Sequence, residues 1–347
     1  MGAANGSCQR RPTCGHPSRM AKLADRIDAA IDDLREPLRD LARQIHAAPE
    51  IAFEEHRAAE LICQLLERYH IDTEAPLGGV ATAFRARVGG SSSPRVALLA
   101  EYDALPEIGH ACGHNLIAAA SVGAFLALGS LKAELPGSIE LYGTPAEEGG
   151  GGKIRLLEAG AFDGVEAAMM FHPFDRDLIL HPTLANCRLE LVFEGRASHA
   201  AIAPWDGASA LTPCMDTFRL VDGQRVHLRD GVRVHGFVCE GGRAANIIVE
   251  RAVAEFSIRA PTSAELSQVR AVVERCARGA ALAADVDLQI SELQGYREIR
   301  NNETLARRFG DHLAELGRIA RDTDSRAGTG STDAGNLSHV FPVIHPW

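Results

Sequence analysis

Apolar residues recur at helical spacing in the first part of the chain. Over residues 21–48 and 53–70, leucines and isoleucines stand three or four positions apart, which predicts two amphipathic helices. A continuous apolar run at 95–101 is typical of a strand covered on both faces. The segments that follow are predicted strands at 138–143 and 165–172 and predicted helices at 115–131 and 153–160. This alternation of strand and helix indicates an α/β fold with a mostly parallel sheet.

The pattern changes near residue 186. Residues 187–195 alternate between apolar and polar positions, as in a half-exposed strand. The elements predicted after them are a helix at 206–221, strands at 232–240 and 249–259, a helix at 263–283 and a strand at 287–293. The order β-α-β-β-α-β is that of a ferredoxin-like α+β unit, and a further helix is predicted at 303–316.

These patterns predict three parts of the chain. Residues 1–20 lack apolar periodicity and are predicted to be a disordered tail. Residues 21–185 and 297–347 form a catalytic α/β domain, and residues 186–296 form a domain inserted into it.

Composition narrows the class of protein. With 46% hydrophobic residues, a chain of 347 residues can bury a large core. The net charge of −10, with no basic stripe, argues against a nucleic-acid partner. No apolar run approaches the length that spans a bilayer, so we expect no membrane partner. Eight scattered cysteines without a secretory signal indicate free thiols in a cytoplasmic protein.

The first candidate for chemistry follows the strand at 95–101. Cys112 and His114 are thiolate and imidazole donors two residues apart at a predicted helix start, a position that helps keep a thiol ionised. Asp103, just past the strand, is placed to orient a ligating imidazole. An isolated Cys-x-His pair is more often a packed cysteine and a solvated histidine, so the pair alone is only a candidate.

The second candidate is a pair of adjacent carboxylates, Glu147 and Glu148, before a run of glycines. Neighbouring carboxylates repel, and a cation would explain them: Glu148 would bind it and Glu147 would take a proton from its water. Taken alone, the pair fits a solvated acidic loop equally well. A phosphate-binding loop is excluded, because Glu147 stands where that motif needs its first glycine and Ile154 where it needs Ser or Thr.

Two histidines complete the set of candidates. His172 closes a predicted strand, and the carboxyl ends of strands in an open α/β sheet face the crevice where ligands bind. The alternative interpretation of His172 is a structural histidine that is hydrogen-bonded at the edge of the core. His199 lies near the first turn of the inserted domain and, taken alone, is an exposed histidine.

Together these segments resemble the dinuclear metallopeptidases that include aminoacylases, glutamate carboxypeptidases and aminobenzoyl-glutamate hydrolases. Within that family they are similar to the amidohydrolase branch with a cysteine in the site. The resemblance covers residues 21–347 and rests on motifs in family order: EYDALPE…GHACGH, GTPAEEGGGGK, MMFHP, ASHAAIAPWDG, GGRAANII and GSTDAGNLSHVFPVIHP. GHACGHN and STDAGNLSHV…IHP are most similar to aminobenzoyl-glutamate hydrolases and related dipeptidases.

The resemblance implies a site for two divalent cations, Zn²⁺ or Mn²⁺. Cys112 would bridge them, His114 and His172 would complete one, and Glu148 would bind the other. Glu147 would act as general base and then protonate the leaving nitrogen.

The resemblance also gives the inserted domain two roles, as a lid and as the interface of a homodimer. His199 would reach into the other subunit's site to stabilise the oxyanion. Asn246 would help to bind the substrate.

One departure from the family pattern concerns the last ligand. The family has a final histidine ligand and a helix beyond the IHP run, whereas this sequence stops at Trp347. We therefore expect an incomplete carboxyl-terminal part, one weakly held cation and exposed apolar surface near 341–344. His345 is the nearby histidine, and we expect it to line the pocket.

The expected function is hydrolysis of an amide or peptide bond by a metal-bridging water. The expected substrate is a small N-acyl amino acid, an aminobenzoyl-glutamate-like compound or a dipeptide. Two alternatives stay open. One is a thiol hydrolase with Cys112 as nucleophile and His110 or His114 as base. The other is a catalytically impaired relative that retains only the fold, the dimer contact and ligand binding.

Overall fold

The computed structural model describes residues 19–90 and 93–347. The predicted disordered tail lies outside the described residues at positions 1–18, whereas Arg19 and Met20 belong to the first helix. The helices are α1 (Arg19–Asp33), α2 (Arg35–Ala47), α3 (His56–Arg68), α4 (His114–Ser130), α5 (Gly152–Glu158), α6 (Leu211–Gln224), α7 (Ser263–Ala283), α8 (Glu303–Glu315) and α9 (Ala334–Ser338). The strands are β1 (Thr73–Glu74), β2 (Phe84–Gly89), β3 (Arg95–Ala100), β4 (Ser138–Gly143), β5 (Ala167–Met169), β6 (Ala185–Glu194), β7 (Arg233–Glu240), β8 (Arg251–Ala260), β9 (Asp287–Tyr296) and β10 (Val343–Ile344).

The first sheet has six strands in the order β1-β2-β4-β3-β5-β10. The four strands from β4 to β10 run parallel, which confirms the predicted α/β fold. Strands β1 and β2, which the sequence analysis did not predict, extend this sheet in antiparallel fashion. Strand β2 buries alternate residues, so it lacks the continuous apolar run by which β3 was predicted.

Helices α1 to α4 cover one face of this sheet. The single helix predicted at 21–48 is wrong, because the chain turns at Leu34 and continues as α2. Leu34 is buried, and the turn lets Ile31 and Leu38 both pack against Gly123 of α4. A Cβ atom at Gly123 would lie 2.6 Å from the Leu38 side chain, so this close approach requires glycine.

The second sheet has four antiparallel strands in the order β7-β8-β6-β9. Alternate residues of β6 are buried under α6 and α7, and the ferredoxin-like order is as predicted. Helix α6 begins at Leu211 rather than at residue 206, because Pro204–Asp206 form a separate short 3₁₀ helix. The domain boundaries and the roles of this unit as lid and dimer interface stay predictions.

The expectation of exposed apolar surface near 341–344 is wrong for β10. Val343 and Ile344 are 0% and 2% exposed. Strand β10 pairs with β5 on one side, and on the other the carbonyl of Val343 accepts a hydrogen bond from the Asn302 amide. Among the described helices, none has the length and apolar character needed to cross a membrane.

Candidate metal centre

Four of the predicted site residues follow the carboxyl ends of three parallel strands. Asp103 comes after β3, the Glu147–Glu148 pair after β4, and His172 after β5. Parallel strands bring these ends to one edge of the sheet. A cavity of about 500 Å³ opens at this edge, and Cys112, Glu147, Glu148 and His172 are among its lining residues.

Sulfur and nitrogen donors lie together on one side of the site. The Cys112 Sγ atom is 3.3 Å from His172 Nε2. The donor atoms of Cys112, His114 and His172 all lie within 4.8 Å of one another. His172 donates from Nδ1 to the Pro173 carbonyl oxygen at 2.9 Å, which leaves the Nε2 lone pair free to bind a cation.

Asp103 connects the two halves of the site. One oxygen of its buried carboxylate lies 2.9 Å from His114 Nδ1, and the other accepts a hydrogen bond of 2.9 Å from the Glu148 amide. A carboxylate on one imidazole nitrogen directs the other nitrogen to a metal. His114 Nε2 is buried 3.9 Å from Glu148 Oε1, and no described residue forms a hydrogen bond with it.

The electrostatic environment of His114 indicates a place for positive charge. Burial lowers the pKa of this imidazole, but its contact with Asp103, together with the nearby Cys112 thiol and Glu101 carboxylate, raises the pKa to about 12. Two oriented imidazoles and a thiol beside carboxylates are the donors that a divalent cation such as Zn²⁺ binds. The residues therefore fit a metal.

Glu147 belongs to a buried acidic cluster. Its carboxylate lies within 4.8 Å of those of Glu101 and Asp333. Burial, with the negative charges of Glu101 and Asp333 nearby, raises the pKa of Glu147 well above its ordinary value. The fully buried Lys153 balances this cluster, since its Nζ lies 2.5 Å from Glu101 Oε1 and 2.7 Å from Asp333 Oδ1.

The sequence analysis assigned no role to Glu101, Lys153 or Asp333. Lys153 and Asp333 are 180 positions apart, so no local spacing connects them. The signal for Asp333 in the sequence is the STDAG motif, which is one of the motifs that carry the family resemblance.

Two further residues reach the cavity from the second sheet, Asn186 of β6 and Arg259 of β8. The Arg259 guanidinium donates to the Ser331 hydroxyl at 3.3 Å, and within residues 19–90 and 93–347 it has no carboxylate partner. Neither residue was predicted, because a strand residue that points into a cavity resembles any half-exposed strand residue.

His199 and Asn246 are not brought to the cavity. Both are exposed, and the Ala200 amide beside His199 donates to the Asn246 carbonyl at 3.0 Å. The two residues therefore lie together on the surface of the second unit. Their predicted action across a dimer stays a prediction.

His345 lines the cavity, as expected. Its Nδ1 accepts a hydrogen bond of 2.9 Å from the Trp347 indole, and its buried Nε2 has no hydrogen-bond partner in the part of the chain that the structure describes. For Cys112, the structure differs from the expectation that the helix start helps to keep its thiol ionised. Burial raises the pKa of this thiol, and this effect outweighs the neighbouring His114.

The two-unit fold and this donor set define the chain as a metal-dependent hydrolase. Residues 97–345 match the family model described as peptidase family M20/M25/M40. The chain belongs to this family, which confirms the predicted resemblance.

Relatives of known activity support the same family. The chain is 38% identical to the Xaa-Arg dipeptidase of Mus musculus, covering 97% of this chain and 82% of the relative. It is 32% identical to one of the subunits of the p-aminobenzoyl-glutamate hydrolase of Escherichia coli (strain K12), covering 84% of this chain and 65% of the relative.

Solved structures show the same fold. The aminobenzoyl-glutamate utilization protein from Klebsiella pneumoniae superposes with a TM-score of 0.77 at 18% identity, covering 92% of this chain and 93% of that one. A dinuclear metal-binding peptidase from Bacillus subtilis gives a TM-score of 0.71 at 22% identity, covering 91% and 89%.

Proposed function

We propose that this protein hydrolyses an amide or peptide bond in a small N-acyl amino acid, an aminobenzoyl-glutamate-like compound or a dipeptide. One observation carries the proposal: the donor atoms of Cys112, His114 and His172 converge beside the Glu147 and Glu148 carboxylates at the edge of a parallel sheet. A thiol, two imidazoles and two acids can supply both the metal ligands and the proton carrier that metal-assisted hydrolysis uses.

The ligands divide into two sets. Cys112 would bridge two divalent cations, Zn²⁺ or Mn²⁺, with His114 and His172 on one and Glu148 on the other. Asp103 would keep His114 in the tautomer that binds metal. When bound, such cations would polarise the substrate carbonyl and lower the pKa of a bound water molecule.

Glu147 would move the proton. It would accept one from the attacking water and pass it to the leaving nitrogen. Its carbonyl oxygen accepts a 2.5 Å hydrogen bond from the Tyr296 hydroxyl, which fixes the backbone from which the carboxylate extends. A cation held by the neighbouring ligands would lower the pKa of Glu147 and so favour its action as a base.

The substrate's free carboxylate would bind at the far wall of the cavity. Arg259 presents a guanidinium that no carboxylate of the described chain neutralises, and Asn186 lies beside it. Arginine binds carboxylates through paired hydrogen bonds. Both relatives are named for substrates that end in an amino acid, arginine in one and glutamate in the other.

The second unit would contribute its exposed residues across a homodimer. His199 would stabilise the oxyanion in the other subunit's site, and Asn246 would help bind substrate there. Their separation from the cavity of their own chain supports this arrangement.

The thiol-hydrolase alternative fits the geometry less well. It leaves Glu147 and Glu148, which lie beside the Cys112 and His114 donors, without a role. Among the described residues, both ring nitrogens of His110 are buried without hydrogen-bond partners, so His110 makes no hydrogen bond to Cys112. The Cys112 Sγ atom instead lies 3.3 Å from His172 Nε2, a predicted ligand.

The test compares two substitutions that differ by one position. Glu147→Gln should retain bound metal and lose about 10²–10⁴-fold in kcat, because it removes the proton carrier. Glu148→Gln should lose metal, measured by elemental analysis. A chelator should abolish turnover of the parent and added Zn²⁺ or Mn²⁺ should restore it. Turnover that survives the chelator would support the thiol mechanism. Absence of turnover after metal has been restored would indicate a catalytically impaired relative.

A further inference from the structure

Glu55 is a buried acid to which the proposed mechanism gives no role. It stands directly before α3, and it is 0% exposed. Its Oε1 atom accepts hydrogen bonds of 2.9 Å from the amides of Phe53 and Ala146, and its Oε2 accepts one of 3.0 Å from the Thr82 hydroxyl. Glu55 and Ala146 are 91 positions apart, so this contact joins the start of the fold to the turn that carries Glu147.

The two amides bound by Oε1 belong to residues in an unfavourable backbone conformation. Phe53 has φ of 64° and Ala146 has φ of 60°, in the left-handed region that side-chain-bearing residues rarely adopt. The Ala146 carbonyl also accepts hydrogen bonds from the amides of Gly150 and Gly151, at 3.0 and 2.8 Å. The turn 146–151 therefore closes on the residue that Glu55 holds.

Phe53 supports the same turn from a second direction. A Cβ atom at Gly150 would lie 2.2 Å from the Phe53 ring, so the ring packs directly on the turn. The Arg155 guanidinium lies over this ring, 3.9 Å from its centroid. One carboxylate oxygen thus fixes both the turn and the aromatic ring beneath it.

The start of α3 is capped by a different residue. Glu50 accepts hydrogen bonds of 2.9 Å from the amides of Arg57 and Ala58 through its two oxygens. These amides are among those at a helix start that need acceptors. Glu55 is therefore free of the capping role that would explain a carboxylate at this place.

We propose that Glu55 is a positioning residue for the hydrolytic reaction: it holds Ala146 in its left-handed conformation, and so sets where Glu147 and Glu148 project into the site. This inference rests on the proposed function. It assigns no contact between Glu55 and the substrate, so Glu55 should affect kcat through Glu147 and leave KM nearly unchanged.

The experiment uses the full chain loaded with Zn²⁺ and three variants, Glu55→Ala, Glu55→Gln and Glu50→Ala. Glu55→Ala should lower kcat by about tenfold or more with KM changed less than about threefold, since a loosely held catalytic group costs rate. Glu55→Gln should recover most of kcat, because its amide oxygen accepts the same two amides and its nitrogen can donate to Thr82. Glu50→Ala is the matched control: it removes a carboxylate from the same loop, and kcat should stay near the parent value.

Two measurements separate positioning from general destabilisation. In a Glu147→Gln background, Glu55→Ala should cause little further loss of kcat, because groups that act as a unit are not additive. Hydrogen exchange at the Gly150 and Gly151 amides should speed up in Glu55→Ala and not in Glu50→Ala. If Glu55→Ala does not fold, Glu55→Asp takes its place, since it withdraws the oxygens by one methylene.

The proposal is overturned if kcat is unchanged in the Ala or Asp variant, or if Glu50→Ala loses as much as Glu55→Ala. Full additivity with Glu147→Gln, or unchanged exchange at the turn, would overturn it as well. The exchange measurement does not require turnover. If the parent chain shows no metal-dependent hydrolysis, the proposed function fails, while the exchange result still decides whether Glu55 holds the turn.

Discussion

Lys153 offers the sharpest test of the electrostatics around the site. Lys153→Met keeps a side chain of similar length and removes the charge between Glu101 and Asp333, which lie 2.5 and 2.7 Å from Nζ. Removing one partner of a buried ion pair costs about 3–5 kcal/mol, because the other charge stays buried without compensation. Here two carboxylates lose the same cation, so we expect a loss of about 4 kcal/mol or more in the free energy of unfolding.

The assay is urea denaturation of the chelator-treated protein at pH 7.5, monitored by circular dichroism. The slope of the free energy of unfolding against urea concentration should be the same in parent and variant. The pH dependence has a definite sign. In the parent, burial favours the protonated form of Glu101, but the charge of Lys153 outweighs this effect and the pKa of Glu101 falls to about 2. The ionised Glu101 therefore stabilises the fold at pH values above its pKa in the unfolded chain. This stabilisation is lost as the pH falls toward 2. In the variant the two acids take up protons more readily, so the difference in stability should shrink between pH 7.5 and pH 5.

The control is the double variant Lys153→Met with Asp333→Asn. It removes one of the two uncompensated carboxylates and should be more stable than Lys153→Met alone. A loss below about 1 kcal/mol for Lys153→Met, or a double variant that loses the sum of the two single effects, would refute the counter-charge role of Lys153.

Three further predictions concern the site. Cys112→Ala should lose most bound metal by elemental analysis, because the bridging thiolate is removed; equal metal in parent and variant would show that the ligand assignment is wrong. Mixing inactive His199→Ala chains with inactive Glu147→Gln chains should restore part of the activity, because one site of a mixed dimer has both groups; mixed dimers that form and stay inactive would exclude the action in trans. Arg259→Met should raise KM about 10–100-fold for substrates with a free carboxylate, from the loss of a charge-assisted hydrogen bond; an equal rise for the carboxyl-terminal amide of the same substrate would contradict the assignment.

The parts of the site predicted from sequence are those with short-range patterns. Cys112 and His114 stand two positions apart, Glu147 and Glu148 are adjacent, and His172 follows an apolar strand. Strand ends of a parallel sheet converge for geometric reasons, so recognising the strands was enough to bring these residues together.

The rest of the site depends on contacts between distant segments. Glu55 meets Ala146 across 91 positions, and Lys153 meets Asp333 across 180. In the sequence Lys153 follows a run of glycines and begins a predicted helix, where a lysine side chain is ordinarily exposed to solvent. Its complete burial depends on the presence of both acids, and nothing in the local sequence records that long-range charge balance.

The break at Leu34 has a similar cause. Apolar spacing continues across it, so the pattern predicts one helix. The turn exists because both helices pack on α4, and tertiary packing overrides a continuous local pattern.

The hydrogen bond between Tyr296 and the Glu147 carbonyl has a mechanical consequence. Tyr296 is the last residue of β9, the strand at which the chain leaves the four-stranded sheet and returns to the catalytic one. A rotation of the four-stranded unit about this junction must either stretch that hydrogen bond or carry the peptide of Glu147 with it. The orientation of the four-stranded unit, which supplies Arg259, is therefore coupled to the orientation of Glu147.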